Sequence, residues 1–105
     1  MLRLLHIVLY ALLTVALMST QSVAAGFPDN GKVIAEQWCA SCHKVSAEQT
    51  QTMADIPTFS NISQGWGDND QPLQIFLADP HPIMPNFNLT RNEIDDLIAY
   101  IRTLR

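Results

Sequence analysis

The pentapeptide Cys39-Ala40-Ser41-Cys42-His43 constrains this chain more than any other feature of its sequence. Residues three apart lie on the same face of a helical turn, so the two thiols point to one side and the imidazole follows directly. This spacing is that of a c-type haem attachment site, in which the thiols reach the two vinyl groups on one porphyrin edge and the histidine reaches the iron. The motif predicts one covalent haem c, held through Cys39 and Cys42.

Three other interpretations of the cysteine pair are weaker. A thioredoxin-like redox pair needs a surrounding βαβ pattern, and residues 26–105 contain no run of alternating β-branched residues. A structural zinc site needs four ligands, for which this region offers only Cys39, Cys42, His43 and His81. A disulfide between the two cysteines would close a loop too short to stabilise the chain much.

Residues 1–25 form a distinct segment with 18 apolar residues and a single charge, Arg3. A basic end, an apolar stretch and small residues at Ala24 and Ala25 follow the order of a secretory signal peptide. The apolar stretch is shorter than the about 20 residues that a membrane span needs, so we favour cleavage over an uncleaved anchor. We therefore expect the domain 26–105 to lie in the periplasm and not to span a membrane.

The composition of residues 26–105 indicates a small domain that needs a stabilising element besides side-chain packing. This region carries five basic and ten acidic residues, all six prolines and all four glycines, and is 40% apolar. A chain of this size buries only about 60% of the surface that it exposes when unfolded, so its core is marginal. A covalent haem would supply the apolar centre that the chain lacks. The acidic balance, without a basic cluster, argues against a nucleic-acid partner.

A low-spin haem carrier needs a second axial ligand, and the candidates in this domain are Met53, His81 and Met84. Met53 follows His43 by only ten residues, which is barely enough chain to cross a porphyrin. Pro85 biases Met84 towards extended backbone, which suits a segment that presents a side chain. His81 also precedes a proline and remains a rival. We favour Met84.

Two helices are predicted before the last part of the chain. The first runs from Gly31 to Ala40 after an N-cap at Asp29 or Asn30. The second starts at Pro72, with apolar residues at helical spacing, and ends by Pro80.

The last helix carries the clearest local signals. Thr90 and Glu93 form a capping box. We expect this helix to dock on the first one, where Gly31 and Ala35 would let the two backbones approach closely. The apolar stripe of the last helix consists of Ile94, Leu97, Ile98, Ile101 and Leu104.

Residues 45–67 are predicted to form a loop. Within it, Phe59 is interpreted as a core residue. Trp66 is interpreted either as a core residue or as a donor to a haem propionate through its indole N–H.

Over nearly all of residues 26–105 the chain resembles the class I, monohaem c-type cytochromes of bacterial periplasms. The matching features are Gly31 eight residues before Cys39, the Cys39–His43 pentapeptide, Ile56-Pro57-Thr58-Phe59, Met84-Pro85 and the closing Asp96-Leu97-Ile98-Ala99-Tyr100-Ile101.

The resemblance implies an all-α fold, the small cytochrome c fold, with three to four helices and long loops around one haem. It implies thioether bonds at Cys39 and Cys42, with His43 as proximal ligand and Met84 as distal ligand. It also implies that the carbonyl of Pro57 accepts a hydrogen bond from His43 Nδ1–H and orients the ring.

The resemblance further implies that the first helix packs on the last, with Tyr100 in the contact. The chain departs from the family at Ala35, where relatives often have an aromatic residue, and we expect the neighbouring Trp38 to compensate.

These features predict a periplasmic one-electron carrier rather than an enzyme. Its expected partners are redox proteins such as a dehydrogenase, an oxidase or another cytochrome. Because only Lys32 and Lys44 lie near the haem motif, we expect partners that are basic or apolar at the contact. One alternative is the cytochrome subunit of a periplasmic dehydrogenase, and another is a thiol-disulfide oxidoreductase.

Overall fold

The computed structural model of the chain describes residues 1–16, 26–51, 53–80 and 82–105. Within these ranges the structure contains helices and no strand, which confirms the all-α prediction. Four of the helices lie between residues 26 and 105, in agreement with the expected three to four. The helices are α1 (Leu2–Ala16), α2 (Pro28–Ile34), α3 (Phe59–Gly65), α4 (Gln71–Ala78) and α5 (Arg91–Arg102).

The core of the domain forms where α2 packs against α5. Gly31 is buried at this contact, and a Cβ atom placed on it would overlap the backbone oxygen of Asp96 and crowd Cβ of Tyr100. Ala35 is fully buried one turn later. These observations confirm the close approach of the two helices. The buried apolar residues of the core are Ala35, Cys39, Val45, Phe59, Leu73, Leu77, Ile94, Leu97, Ile98, Tyr100 and Ile101.

The predicted start of the first helix is wrong, because α2 begins at Pro28 and neither Asp29 nor Asn30 is its N-cap. The N-cap residue is Phe27, whose side chain cannot accept a hydrogen bond. Instead, the Asp96 carboxylate on α5 accepts from the Phe27 backbone N–H at 2.6 Å and from the Asn30 side-chain amide at 3.3 Å. The N-terminus of α2 is therefore capped by a side chain of α5, which lies far from it in the sequence.

Beyond Ile34 the helix continues as a π-helical turn, Ala35–Cys39. The Ala40 N–H donates to the Ala35 carbonyl at 3.0 Å, which is the wider spacing of that helix type. The N–H groups of Cys42 and His43 then both donate to the Cys39 carbonyl, at 3.1 and 2.9 Å. The haem motif is thus wound as a continuation of α2.

The predicted loop 45–67 contains a helix, α3, so that prediction is wrong for residues 59–65. The Thr58 side chain caps this helix by accepting from the Asn61 N–H at 3.1 Å. Phe59 is 4% exposed, which confirms its interpretation as a core residue.

Helices α4 and α5 follow the sequence prediction. Helix α4 starts with Pro72 in its first turn and ends before Pro80. At the start of α5 the Thr90 N–H donates to the Glu93 carboxylate at 2.7 Å, and the Glu93 N–H donates to the Thr90 hydroxyl at 3.3 Å. Four residues of the predicted apolar stripe, Ile94, Leu97, Ile98 and Ile101, are buried in α5, whereas Leu104 lies beyond the end of the helix and is partly buried against the core.

Two arginines at the end of α5 hold the connection between α3 and α4. Arg102 donates through Nε to the Asp70 carboxylate at 2.7 Å and also bonds the Gly67 carbonyl. Arg105 donates to the Asp68 carboxylate at 2.8 Å. These bonds fix the loop that follows Trp66 against α5.

In the part of α1 whose side chains are described, up to Tyr10, apolar side chains such as Leu2, Leu5 and Ile7 are exposed. Of the helices that the structure describes, none has both the length and the hydrophobicity that crossing a membrane requires. The expected cleavage positions at Ala24 and Ala25 lie outside the described residues.

Candidate functional site

The site residues predicted from the sequence line one cavity of about 390 Å³. Cys39, Cys42, His43 and Met84 all lie on its wall. The rival ligand His81 lies outside the described residues. Met53 lines the cavity as well but is 53% exposed, whereas Met84 is partly buried and packed against the core.

The cavity wall is apolar and aromatic. None of the described residues on it is Asp, Glu, Lys or Arg. Its volume lies within the about 300–1,000 Å³ typical of ligand and cofactor sites. Besides the four candidates and Met53, the wall contains Trp38, Ser41, Ile56, Pro57, Ile62, Trp66, Leu73, Phe76, Ile83, Pro85 and Phe87.

His43 is oriented by a hydrogen bond from its Nδ1 atom to the Pro57 carbonyl, at 2.6 Å. A carbonyl can only accept, so Nδ1 carries the proton and Nε2 keeps its lone pair. The structure thereby confirms the expected Pro57 contact. The Phe59 ring lies against the imidazole, with the ring centroids 5.5 Å apart. The ring is therefore prepared as a metal ligand with one defined tautomer.

Gln49 fixes the backbone around His43, a role that the sequence gives no pattern to detect. Its side-chain amide donates to the carbonyls of Ala40 and His43, at 3.1 and 2.9 Å, and its oxygen accepts from the Val45 N–H at 2.9 Å. The buried Tyr100 hydroxyl donates to the Val45 carbonyl at 2.7 Å. The backbone that follows the cysteines is thus tied both to its own loop and to α5.

Cys39 and Cys42 are both free thiols. Burial, and to a smaller extent the neighbouring Cys42, raises the pKa of the Cys39 thiol to about 11. A redox-active cysteine of a Cys-x-x-Cys pair has the opposite property, a lowered pKa that favours the thiolate. The environment of Cys39 therefore disfavours thiol-disulfide exchange.

Two tryptophans line the cavity. Trp66, which ends α3, is 37% exposed, so it is not a core residue. Trp38 is 46% exposed and contacts the ring of Phe87, with centroids 5.6 Å apart. It does not take the core position against α5, which Ala35 occupies itself, so the expected compensation is wrong.

This donor set fits a haem. An apolar cavity suits a flat apolar macrocycle, two thiols on one side suit its vinyl groups, and an imidazole and a thioether suit its iron. The fit rests on side chains from separate segments, since residues 39–43 and Met84 meet only through the packing of the helices.

Comparison with known proteins agrees with this geometry. A family model described as Cytochrome c matches residues 28–105. The protein named Cytochrome c-552 from Bradyrhizobium diazoefficiens is 41% identical over 87 residues, which cover 83% of this chain and 84% of that protein. None of the solved structures compared matches the chain significantly.

Proposed function

Because the chain belongs to the cytochrome c family of electron-transfer proteins, we propose that it carries single electrons between redox proteins of the periplasm by means of one covalent haem c. The observation that carries the proposal is the cavity that joins two thiols, an oriented imidazole and a thioether on an uncharged wall.

Each of these residues has a specific role in the proposal. Cys39 and Cys42 would form thioether bonds with the vinyl groups, and His43 would bind the iron through Nε2. Met84 would supply the second axial ligand. The Pro57 carbonyl accepts from Nδ1 and so keeps the imidazole in one orientation and one tautomer.

When bound, haem supplies an iron that alternates between the ferric and ferrous states. The chain's part is to hold both axial ligands in place, so that little rearranges when the charge changes. A neutral thioether and an apolar wall favour the ferrous state relative to ligation by two histidines. Apolar residues on the wall, such as Leu73 and Phe76, would limit the access of water to a haem held there.

The proposed location rests on the first 25 residues, which we interpret as a cleaved signal peptide. The exposed apolar side chains of α1 are consistent with a segment that functions outside the folded domain. N-terminal sequencing of the protein from a periplasmic fraction tests this interpretation, and an intact Met1 would contradict it.

The proposed partners meet the cavity side of the domain through apolar and basic surface. Lys32 is paired with Glu36 at 3.8 Å, which weakens the already small positive charge near the motif. Docking should be brief, since carriers of this type use small interfaces. If the protein instead purifies in a stable complex with a dehydrogenase, it is a subunit of that enzyme.

The test of the proposed function is an absorption spectrum of the protein made in a periplasm, before and after denaturation. Colour that survives denaturation is the expected sign of covalent haem, and a far-red sulfur-to-iron band is the sign of Met84 ligation. We expect Met84→Ala to lose this band and His81→Ala to keep it. The reverse result would assign the ligand to His81, and a colourless protein would contradict the proposal as a whole.

A further inference from the structure

Trp38 and Phe87 join two segments that are far apart in sequence. Their ring centroids are 5.6 Å apart with an interplanar angle of 38°, and both rings line the cavity. Trp38 directly precedes Cys39 in the π-helical turn, and Phe87 follows Met84 by three residues. The contact between these rings, called the aromatic pair below, therefore links the segment of the expected distal ligand to the element that carries the cysteines.

Apart from the packing of Met84 itself on the core, the segment that carries it has little other local support. Residues 85–89 have no regular secondary structure. On one side of Met84 the neighbouring Ile83 is 85% exposed. On the other side the Asn88 N–H donates to the Asn86 side chain at 2.8 Å, and Leu89 packs on the core. Phe87 is thus the ring that attaches the middle of this segment across the cavity.

Resting on the proposed axial role of Met84, we propose that Trp38 and Phe87 are positioning residues that hold the Met84 thioether at the iron through the contact of their rings. Without the pair, the segment is held by the packing of Met84 and Leu89 on the core, with no contact to the element that carries the cysteines through Phe87. The thioether then leaves the iron more often, and the sixth position becomes accessible to other ligands.

The size of the effect follows from the contact. A tilted ring pair at this distance contributes enough beyond simple burial to change an equilibrium by about two- to tenfold. Because Trp38 is 46% exposed, removal of its ring leaves the main core in place. The expected change therefore lies in the release of Met84 and not in the folding of the domain.

The experiment measures imidazole binding to the ferric haem protein by stopped flow. At saturating imidazole the observed rate equals the rate at which Met84 leaves the iron. We expect Trp38→Leu and Phe87→Leu each to raise this limiting rate about two- to tenfold, because each removes the ring contact. The double variant should be no faster than the faster single variant, since the two residues act through one contact. Trp38→Phe keeps a ring and should stay within about twofold of the wild type.

Ile101→Val is the matched control, because it removes a methyl group from a buried core residue of α5 that does not line the cavity. It should lower the unfolding midpoint but leave the limiting rate unchanged. The proposal is overturned if the leucine variants release Met84 no faster than the wild type or no faster than Ile101→Val. It is also overturned if the single effects multiply in the double variant.

The spectrum of the wild type separates this inference from the proposed function. If the ferric wild type lacks the sulfur-to-iron band, Met84 is not a ligand, and both the axial assignment and the inference fail. If the band is present and the leucine variants behave as the wild type, only the role of the aromatic pair fails.

Discussion

Ser63 is a polar residue that lies buried in the domain. It is 2% exposed in α3, and within the described part of the chain its hydroxyl oxygen has no hydrogen-bond partner. It lies one turn after the buried Phe59, on the side of α3 that faces the core. A buried polar group without a partner costs about 1–3 kcal/mol of stability.

We therefore expect Ser63→Ala to raise the unfolding free energy of the haem protein by about 1 kcal/mol, since it removes the unpaired hydroxyl and leaves little empty space. Denaturant unfolding gives this value directly. Ser60→Ala on the same helix is the control: it loses one surface hydrogen bond, from Gln64 at 3.2 Å, and should be close to neutral. A loss of stability in Ser63→Ala would mean that the hydroxyl is bonded in the haem-containing state.

Among single residues, the sequence predicts those that can be recognised by their type and spacing. Cys39, Cys42 and His43 form a motif, and Met84 is marked by the proline after it. Gln49 could not be predicted, because its partners are backbone groups that every residue carries. The unpaired state of Ser63 likewise depends on neighbours that only the packing of the chain determines.

Among the elements, α5 has a stability that depends on one titrating group. Hydrogen bonds from the Thr90 backbone N–H, and then from its hydroxyl, hold the pKa of Glu93 below its ordinary value of 4.5. Since the folded-state pKa is lowered, this contribution to stability is complete above the ordinary value and is lost as the pH falls through the folded-state value.

Glu93→Gln keeps a capping box but removes the titration. We expect the difference in unfolding free energy between the wild type and this variant to be constant well above the ordinary pKa of 4.5 and to shift against the wild type as the pH falls below it. Urea unfolding of both haem proteins across this range measures the difference, in which the other carboxylates cancel. Parallel curves would show that the Glu93 carboxylate is not the group responsible.

The helices differ in how far their bounds are determined by residues within the helix or next to it. Helix α5 is predictable because its cap, its stripe and its terminal arginines all lie within the helix or next to it. Helix α3 is missed because it is short and its apolar residues are few, although Thr58 is of a residue type that favours the N-cap position. The start of α2 cannot be read locally, since its cap acceptor, Asp96, belongs to another helix.

For the whole molecule, the cavity of about 390 Å³ is the feature that limits stability. The cavity is open and its wall is apolar, so without a haem its side chains are left facing water, with Ile83 already 85% exposed. A domain of this size has little other core with which to offset that exposure.

We therefore expect the double variant Cys39→Ser/Cys42→Ser, which cannot attach haem covalently, to be largely unfolded when produced without haem. Its far-ultraviolet circular dichroism should show little helix and no cooperative transition in urea, whereas the haem protein should unfold in one step. A cooperative transition in the haem-free variant would show that the helices hold the fold by themselves.

The cap that Asp96 places on α2 has a consequence for how the protein is made. Phe27 and Asp96 are separated by 69 positions in the sequence, yet the N-terminus of α2 is capped only when the Asp96 carboxylate of α5 is present. Contacts of such long sequence separation form late and slowly. A nascent chain that includes the cysteines but not yet residues 91–102 therefore has no α5 on which α2 can pack. In such a chain the core between α2 and α5 cannot yet form, so the fold around the cavity is assembled only after residues 91–102 have been made.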